Sequence, residues 1–167
     1  WDDSEDAALF GSGMAAISTA LLAWSSADRS VWFVGPLYGG THHFLKEVMP
    51  TMGRSVTEID HLDQLDPTLE DLGGQRPGLI YLETPANPTM QIQRIRTAAE
   101  WAAQHSTEDH RIVVMVDNTY LGPILQRPLE KGADLVLYSA TKYLGGHSDL
   151  IAGGASGGAD IVATVKE

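Results

Sequence analysis

Lys142 follows two hydroxyls in Ser139-Ala140-Thr141-Lys142 and precedes two glycines, Gly145 and Gly146. Upstream, Asp117 closes an apolar run over residues 112–116 and opens Asp117-Asn118-Thr119. An amine, two hydroxyls and an acid suit a pyridoxal phosphate site. The amine can form a Schiff base with the aldehyde, the hydroxyls can bind the phosphate, and the acid can pair with the ring nitrogen. A lysine of this kind must give up its proton, which desolvation and nearby positive charge favour. Asp117 equally suits a carboxylate capping the next turn, and spacing alone leaves both readings open.

Gly11-Ser12-Gly13-Met14 opens a helical pattern. Backbone N–H groups at a helix start, reinforced by the helix dipole, can meet a phosphate. The segment lacks both the dinucleotide fingerprint and the lysine of a nucleotide-binding P-loop. Tyr38 is followed by Gly39 and Gly40, which would let its ring lie flat on a planar cofactor. His42, His43 and His61 raise a metal reading, but adjacent histidines without acids at ligand spacing do not make a ligand set, so no metal is expected. His147 reads equally as a hydrogen-bonded loop residue or a catalytic one.

These residues need a scaffold. The 167-residue chain is long enough for one core. With 43% apolar and 20% charged residues it has an ordinary globular composition. A net charge of −11 repels nucleic acid and anionic membranes. The absence of cysteine excludes disulfides, thiolate metal sites and cysteine nucleophiles. The apolar run over residues 15–24 is too short to cross a bilayer. No targeting segment is recognised, so the expected location is cytoplasmic. The chain opens at Trp1 without a Met and stops at Glu167 without a closing signal; it reads as an excerpt.

Helices are predicted over 14–24, 41–49 (ended by Pro50 and Gly53) and 92–105. Residues 62–72 read as a polar helix or turn. Strands are predicted over 30–34, 55–59, 79–82, 112–116 and 135–138. Residues 153–158 read as a glycine-rich loop. Short apolar strands alternating with helices imply an α/β fold with a mainly parallel sheet, covered on both faces. Ligands of such sheets bind at the carboxyl ends of the strands. Glu83, Asp117 and Ser139 each follow a predicted strand, which puts them on one rim.

Four segments then carry a family resemblance: SGMAAI (12–17), PLYGGT (36–41), ETPANP (83–88) and VDNTYLGPILQRPLEKGADLVLYSATKYLGGHSDLIAGG (116–154). In order and wording the chain resembles the cysteine/methionine metabolism family of pyridoxal-phosphate enzymes. Its members include cystathionine γ-synthase, cystathionine γ- and β-lyases, methionine γ-lyase and the homoserine-ester sulfhydrylases. The resemblance implies a fold-type I large domain over 1–167, a mixed, mainly parallel seven-stranded sheet between helices. It implies pyridoxal 5'-phosphate as cofactor, a sulfur amino acid as substrate, and a homotetramer, a dimer of dimers, for the full-length protein. Lys142 would form the Schiff base and shuttle protons, and Asp117 would pair with the ring nitrogen. Ser139, Thr141 and the N–H groups of Gly13 and Met14 would hold the phosphate. Tyr38 would stack on the ring and serve the leaving thiol as an acid–base group, and Asn87 would bind the phenolic oxygen. Glu83 receives no firm role.

Two parts of the family's site fall outside the chain: a Tyr-x-Arg phosphate clamp from a neighbouring subunit, and a small C-terminal domain whose arginine binds the substrate carboxylate. The wording of 117–134 and 139–154 is similar to methionine γ-lyases and favours γ-elimination, giving 2-oxobutyrate, ammonia and a thiol. Gly40 stands where methionine γ-lyases carry a cysteine, and the YGGT form is common in cystathionine enzymes. γ-Replacement by a cystathionine γ-synthase or sulfhydrylase is therefore the alternative. A non-catalytic α/β association module is the alternative outside enzymes.

Overall fold

Runs such as VWFV, LIYLE, VVMVD and LVLY are apolar at nearly every position, so as strands they need cover on both faces. The computed structural model describes residues 2–167 and supplies that cover. Its strands are β1 (Asp6–Phe10), β2 (Val31–Val34), β3 (Val56–Ile59), β4 (Leu79–Glu83), β5 (Val113–Asp117), β6 (Leu135–Tyr138) and β7 (Gly153–Gly157). The helices are α1 (Gly13–Ala23), α2 (Gly39–His43), α3 (Met49–Thr51), α4 (Leu65–Asp71), α5 (Ile95–His105), α6 (Gly122–Leu125) and α7 (Ala159–Lys166). One sheet holds the strands in the order β1-β7-β6-β5-β4-β2-β3. The β2–β3, β2–β4, β4–β5 and β5–β6 pairs are parallel, whereas β7 is antiparallel to both β1 and β6. The fold is α/β, with a mixed, mainly parallel seven-stranded sheet between helices.

Alternation along the strands divides the core in two. Val31, Phe33, Leu79, Tyr81, Val113 and Met115 pack with Ile17 and Leu21 of α1 and with Ile161 and Val165 of α7. Their neighbours Trp32, Val34, Ile80, Leu82, Val114 and Val116 pack with Ile95, Ala98 and Trp101 of α5. Fully burying one of the larger apolar side chains contributes about 1.5–3 kcal/mol, so both faces hold the sheet in place.

The structure departs from the sequence-based expectations in four places. Residues 153–157 form a strand, not a loop. A Cβ at Gly153 would collide with the carbonyl of Ser12, and one at Gly157 with the carbonyl of Asp134. The glycines are there because other backbone comes too close for a side chain. β1 and α7 were not foreseen; β1 pairs with β7 from the far end of the chain, and α7 covers both. The segment predicted as a helix over 41–49 begins at Gly39, passes through a π-helical turn (Phe44–Val48) and continues past Pro50 to Thr51. Pro50 is the second residue of α3, which follows directly on the π-helical turn. The helix predicted from residue 92 starts at Ile95, and Ile92 is exposed.

The strand order reverses once. From β2 the chain goes to β3 on one side, then returns to β4 on the other and continues outward to β5 and β6. Such a reversal opens a crevice at the carboxyl ends of the strands. Here it lies between β2 and β4.

Candidate active site

Glu83 and Asp117 end β4 and β5 and stand opposite each other in register. Ser139 follows the end of β6. The three share the rim that their positions after apolar runs implied. They open on a cleft of about 530 Å³. Gly13, Met14, Tyr38 and Asn87 line it, together with Asp117, Ser139, Thr141 and Lys142, so the structure brings all eight sequence-predicted site residues together.

At one end of the cleft α1 begins. Ser12 is its N-cap, with Oγ accepting the Ala15 N–H at 3.0 Å. The N–H groups of Gly13 and Met14 at the helix start have no intrahelical acceptor. Gly13 lies so close to Ser139 that an added Cβ would be 2.6 Å from the serine Cβ and 2.8 Å from its Oγ. Thr141 is placed differently from a free donor: its Oγ1 donates to the Ala152 carbonyl at 3.1 Å and accepts the Ala152 N–H at 3.0 Å. The hydroxyl ties the lysine segment to the approach to β7. Lys142 donates its backbone N–H to the Ser139 carbonyl at 3.0 Å, and Gly146, in a left-handed conformation at φ 74°, donates to the Lys142 carbonyl. A tight turn thus carries the amine.

At the other end Asp117 is buried. Its Oδ1 accepts the Thr119 N–H at 3.0 Å and the Thr119 hydroxyl at 2.6 Å, and Oδ2 accepts the Tyr81 phenol at 3.4 Å. Burial raises the Asp117 carboxyl above the usual range, against the lowering effect of these donors. Burial likewise raises the Tyr81 phenol, with the charge of Asp117 adding to it. Burial pushes Glu83 up to about 7; N–H bonds from Tyr38 and Asn87 oppose this and the nearby Asp117 carboxylate adds to it. Among the described residues neither carboxylate forms an ion pair. Two adjacent buried acids without a cation make this end a receptor for positive charge.

Tyr38 caps α2 and is half-exposed over the cleft. Its ring reaches back to Gly40, where a Cβ would lie 2.6 Å from the Tyr38 Cε1. The glycine makes room for the ring. Sequence reasoning gave no role to Thr119, Tyr120 and Tyr143, which also line the cleft. Thr119 accepts the Ser139 N–H at 2.8 Å while donating to Asp117, so one hydroxyl joins the acid end to the hydroxyl end. Its place two residues after the acid was the available signal. The histidines lie elsewhere: His42 Nε2 is 3.6 Å from Glu58 Oε1, and His147 Nδ1 is 2.9 Å from the Gly145 carbonyl on an exposed loop.

The match to the family described as Cys/Met metabolism PLP-dependent enzymes runs over residues 2–166. The chain belongs to this family. An L-methionine γ-lyase of Porphyromonas gingivalis is 40% identical, covering 99% of this chain and 40% of the relative. A cystathionine β-lyase of Bacillus subtilis is 40% identical over 86% of this chain and 35% of its own length. A crystal structure of cystathionine γ-synthase from Xanthomonas oryzae pv. oryzae superposes with a TM-score of 0.86 at 30% identity, covering 98% of this chain and 41% of that one. The chain therefore spans about 40% of the length of such relatives. Membership of this family implies pyridoxal phosphate as the cofactor. Among the described residues no helix is long and apolar enough to cross a membrane.

Proposed function

We propose that this chain is the cofactor platform of a PLP-dependent carbon–sulfur lyase that performs γ-elimination on methionine or cystathionine, releasing 2-oxobutyrate, ammonia and a thiol. The observation that carries the reading is the gathering of Lys142, Asp117 and Ser139 with the free N-terminus of α1 in one cleft. Methionine γ-lyases at 39–41% identity support the direction of the chemistry.

The residues present fit the cofactor. The seat at Gly13, which a Cβ would fill, lets two N–H groups and the Ser139 hydroxyl bind a phosphate. Thr141 would join them by releasing the Ala152 carbonyl. Asp117 would hold a proton on the ring nitrogen, the role that a buried acid without a cation partner suits. Asn87 would orient the ring through its phenolic oxygen. When bound, pyridoxal phosphate supplies an electron sink for negative charge at the substrate Cα. Lys142 Nζ would hold the cofactor covalently and, once freed by the substrate amine, take the Cα proton. Tyr38, whose ring lies against Gly40 at the cleft, would deliver a proton to the departing sulfur. The full-length protein would be a homotetramer.

γ-Replacement is the second reading, favoured by Gly40 and by a cystathionine γ-synthase/O-acetylhomoserine (thiol)-lyase of Bacillus subtilis at 40% identity. Full-length protein incubated with methionine, with cystathionine, and with O-acylhomoserine plus a thiol separates the two. 2-Oxobutyrate from the first pair supports elimination; a thioether from the last without it supports replacement. Failure to take up pyridoxal phosphate at all would leave an association module.

A further inference from the structure

Glu83 lines the cleft but takes no part in the proposed chemistry. It is only 5% exposed and pairs with no cation among the described residues. A buried carboxylate in that state is unfavourable unless it is hydrogen-bonded. Its two oxygens go to two different loops. Oε2 accepts the Tyr38 N–H at 2.7 Å, and Oε1 accepts the Asn87 N–H at 2.8 Å. Tyr38 follows β2 and Asn87 follows β4, so these loops are the two banks of the crevice where the strand order reverses. A single side chain spans it.

We propose that Glu83 is a positioning residue, a two-pronged clip that holds the Tyr38 turn and the Asn87 loop to the sheet rim and so sets where both meet the cofactor. The inference rests on the reading that this cleft holds pyridoxal phosphate. The clip works best ionised. As a carboxylate Glu83 offers an acceptor to each N–H; protonated, one oxygen becomes a donor facing an N–H, and one loop loses its bond. The ionisable groups around it are Asp117 from β5 and Tyr81 from β4, with Lys142 and Tyr38 lining the same cleft. Burial and the neighbouring Asp117 charge bring its proton equilibrium to about 7. A cation placed against Asp117 cancels the like charge and favours ionised Glu83, so cofactor binding and closing of the clip support each other.

The test is the cofactor dissociation constant of full-length protein, from absorbance titrations at pH values on both sides of neutrality. Wild type should lose affinity as pH falls through about 7. Glu83→Gln keeps the shape but has one acceptor and no charge; at alkaline pH it should bind about tenfold more weakly, with the acid-side fall flattened. A loss of packing alone would not flatten the profile. Glu83→Asp keeps the charge but draws it back, so it should bind weakly yet retain the fall, and it stands in if the glutamine variant does not fold. Wild-type affinity and an unchanged profile in the glutamine variant, or wild-type affinity in the aspartate variant, overturn the clip. Lys142→Ala separates this from the underlying reading. If it loses the band of lysine-bound cofactor while the Glu83 variants match wild type, only the clip falls. If it keeps that band, the assignment of the cleft falls with it.

Discussion

β5 and β7 meet the same rim of the sheet in opposite directions, Asp117 ending one and Gly153 beginning the other. β5 brings a carboxylate to the cleft, whereas β7 contributes by having no side chain there. A Cβ at Gly153 would strike the Ser12 carbonyl and lie 3.0 Å from the Ala16 Cβ, so its absence lets α1 settle on the sheet. That seat puts Gly13 against Ser139. The parallel strands deliver functional groups, and the antiparallel edge delivers room for a helix N-terminus. A site of this kind needs both.

The largest expected effect is on the β5 side. Asp117→Asn should still bind the cofactor but slow α-proton exchange by about 10²- to 10⁴-fold, as expected for loss of a group that sets a proton. Solvent deuterium incorporation at Cα measures it, and a near-normal rate would remove Asp117 from its role. The β7 side should answer in stability. Gly153→Val should cost about 3 kcal/mol by forced overpacking, lowering the melting temperature of the full-length protein. Gly154→Ala is the internal control: nothing lies within 4 Å of its added Cβ, so its change should stay within about 0.5 kcal/mol. Equal losses at the two glycines would show that the close approach of α1 is not what the edge protects.

A smaller effect is expected where the two sides meet. Gly13→Ala must push Ser139 away, and the cofactor phosphate should bind about tenfold more weakly through loss of one charge-assisted hydrogen bond. Competition by inorganic phosphate reads it directly. The smallest effect is a pH slope. Glu83 has a folded value of about 7 against an ordinary 4.5. The folded state therefore holds more protons than the unfolded state between those values, and cofactor-free stability falls as pH rises through that window. Glu83→Gln cannot ionise, so its stability relative to wild type should rise from about pH 4.5 to 7 and level off above. Parallel melting curves for the two proteins across that range would contradict the assignment.

The parallel half of the sheet was legible because β2, β4, β5 and β6 are almost wholly apolar runs and the candidate site residues sit where those runs stop. Lys142, Ser139 and Asp117 announce themselves by type and by position. β7 was not legible. GGASG carries no apolar alternation, and glycine signals loop and close approach equally. β1 was missed because five residues with Leu9 exposed show little pattern alone; β1 becomes a strand by pairing with β7.

By itself, the sequence determined which chemistry was possible and which rim would bear it, since apolar periodicity and side-chain type are local properties. Tertiary structure alone decided that Thr141 spends its hydroxyl on Ala152, that Thr119 joins Asp117 to Ser139, and that Glu83 spans two loops. Each depends on backbone donors and acceptors brought together across strands, and no residue's identity states which distant N–H or carbonyl it will meet.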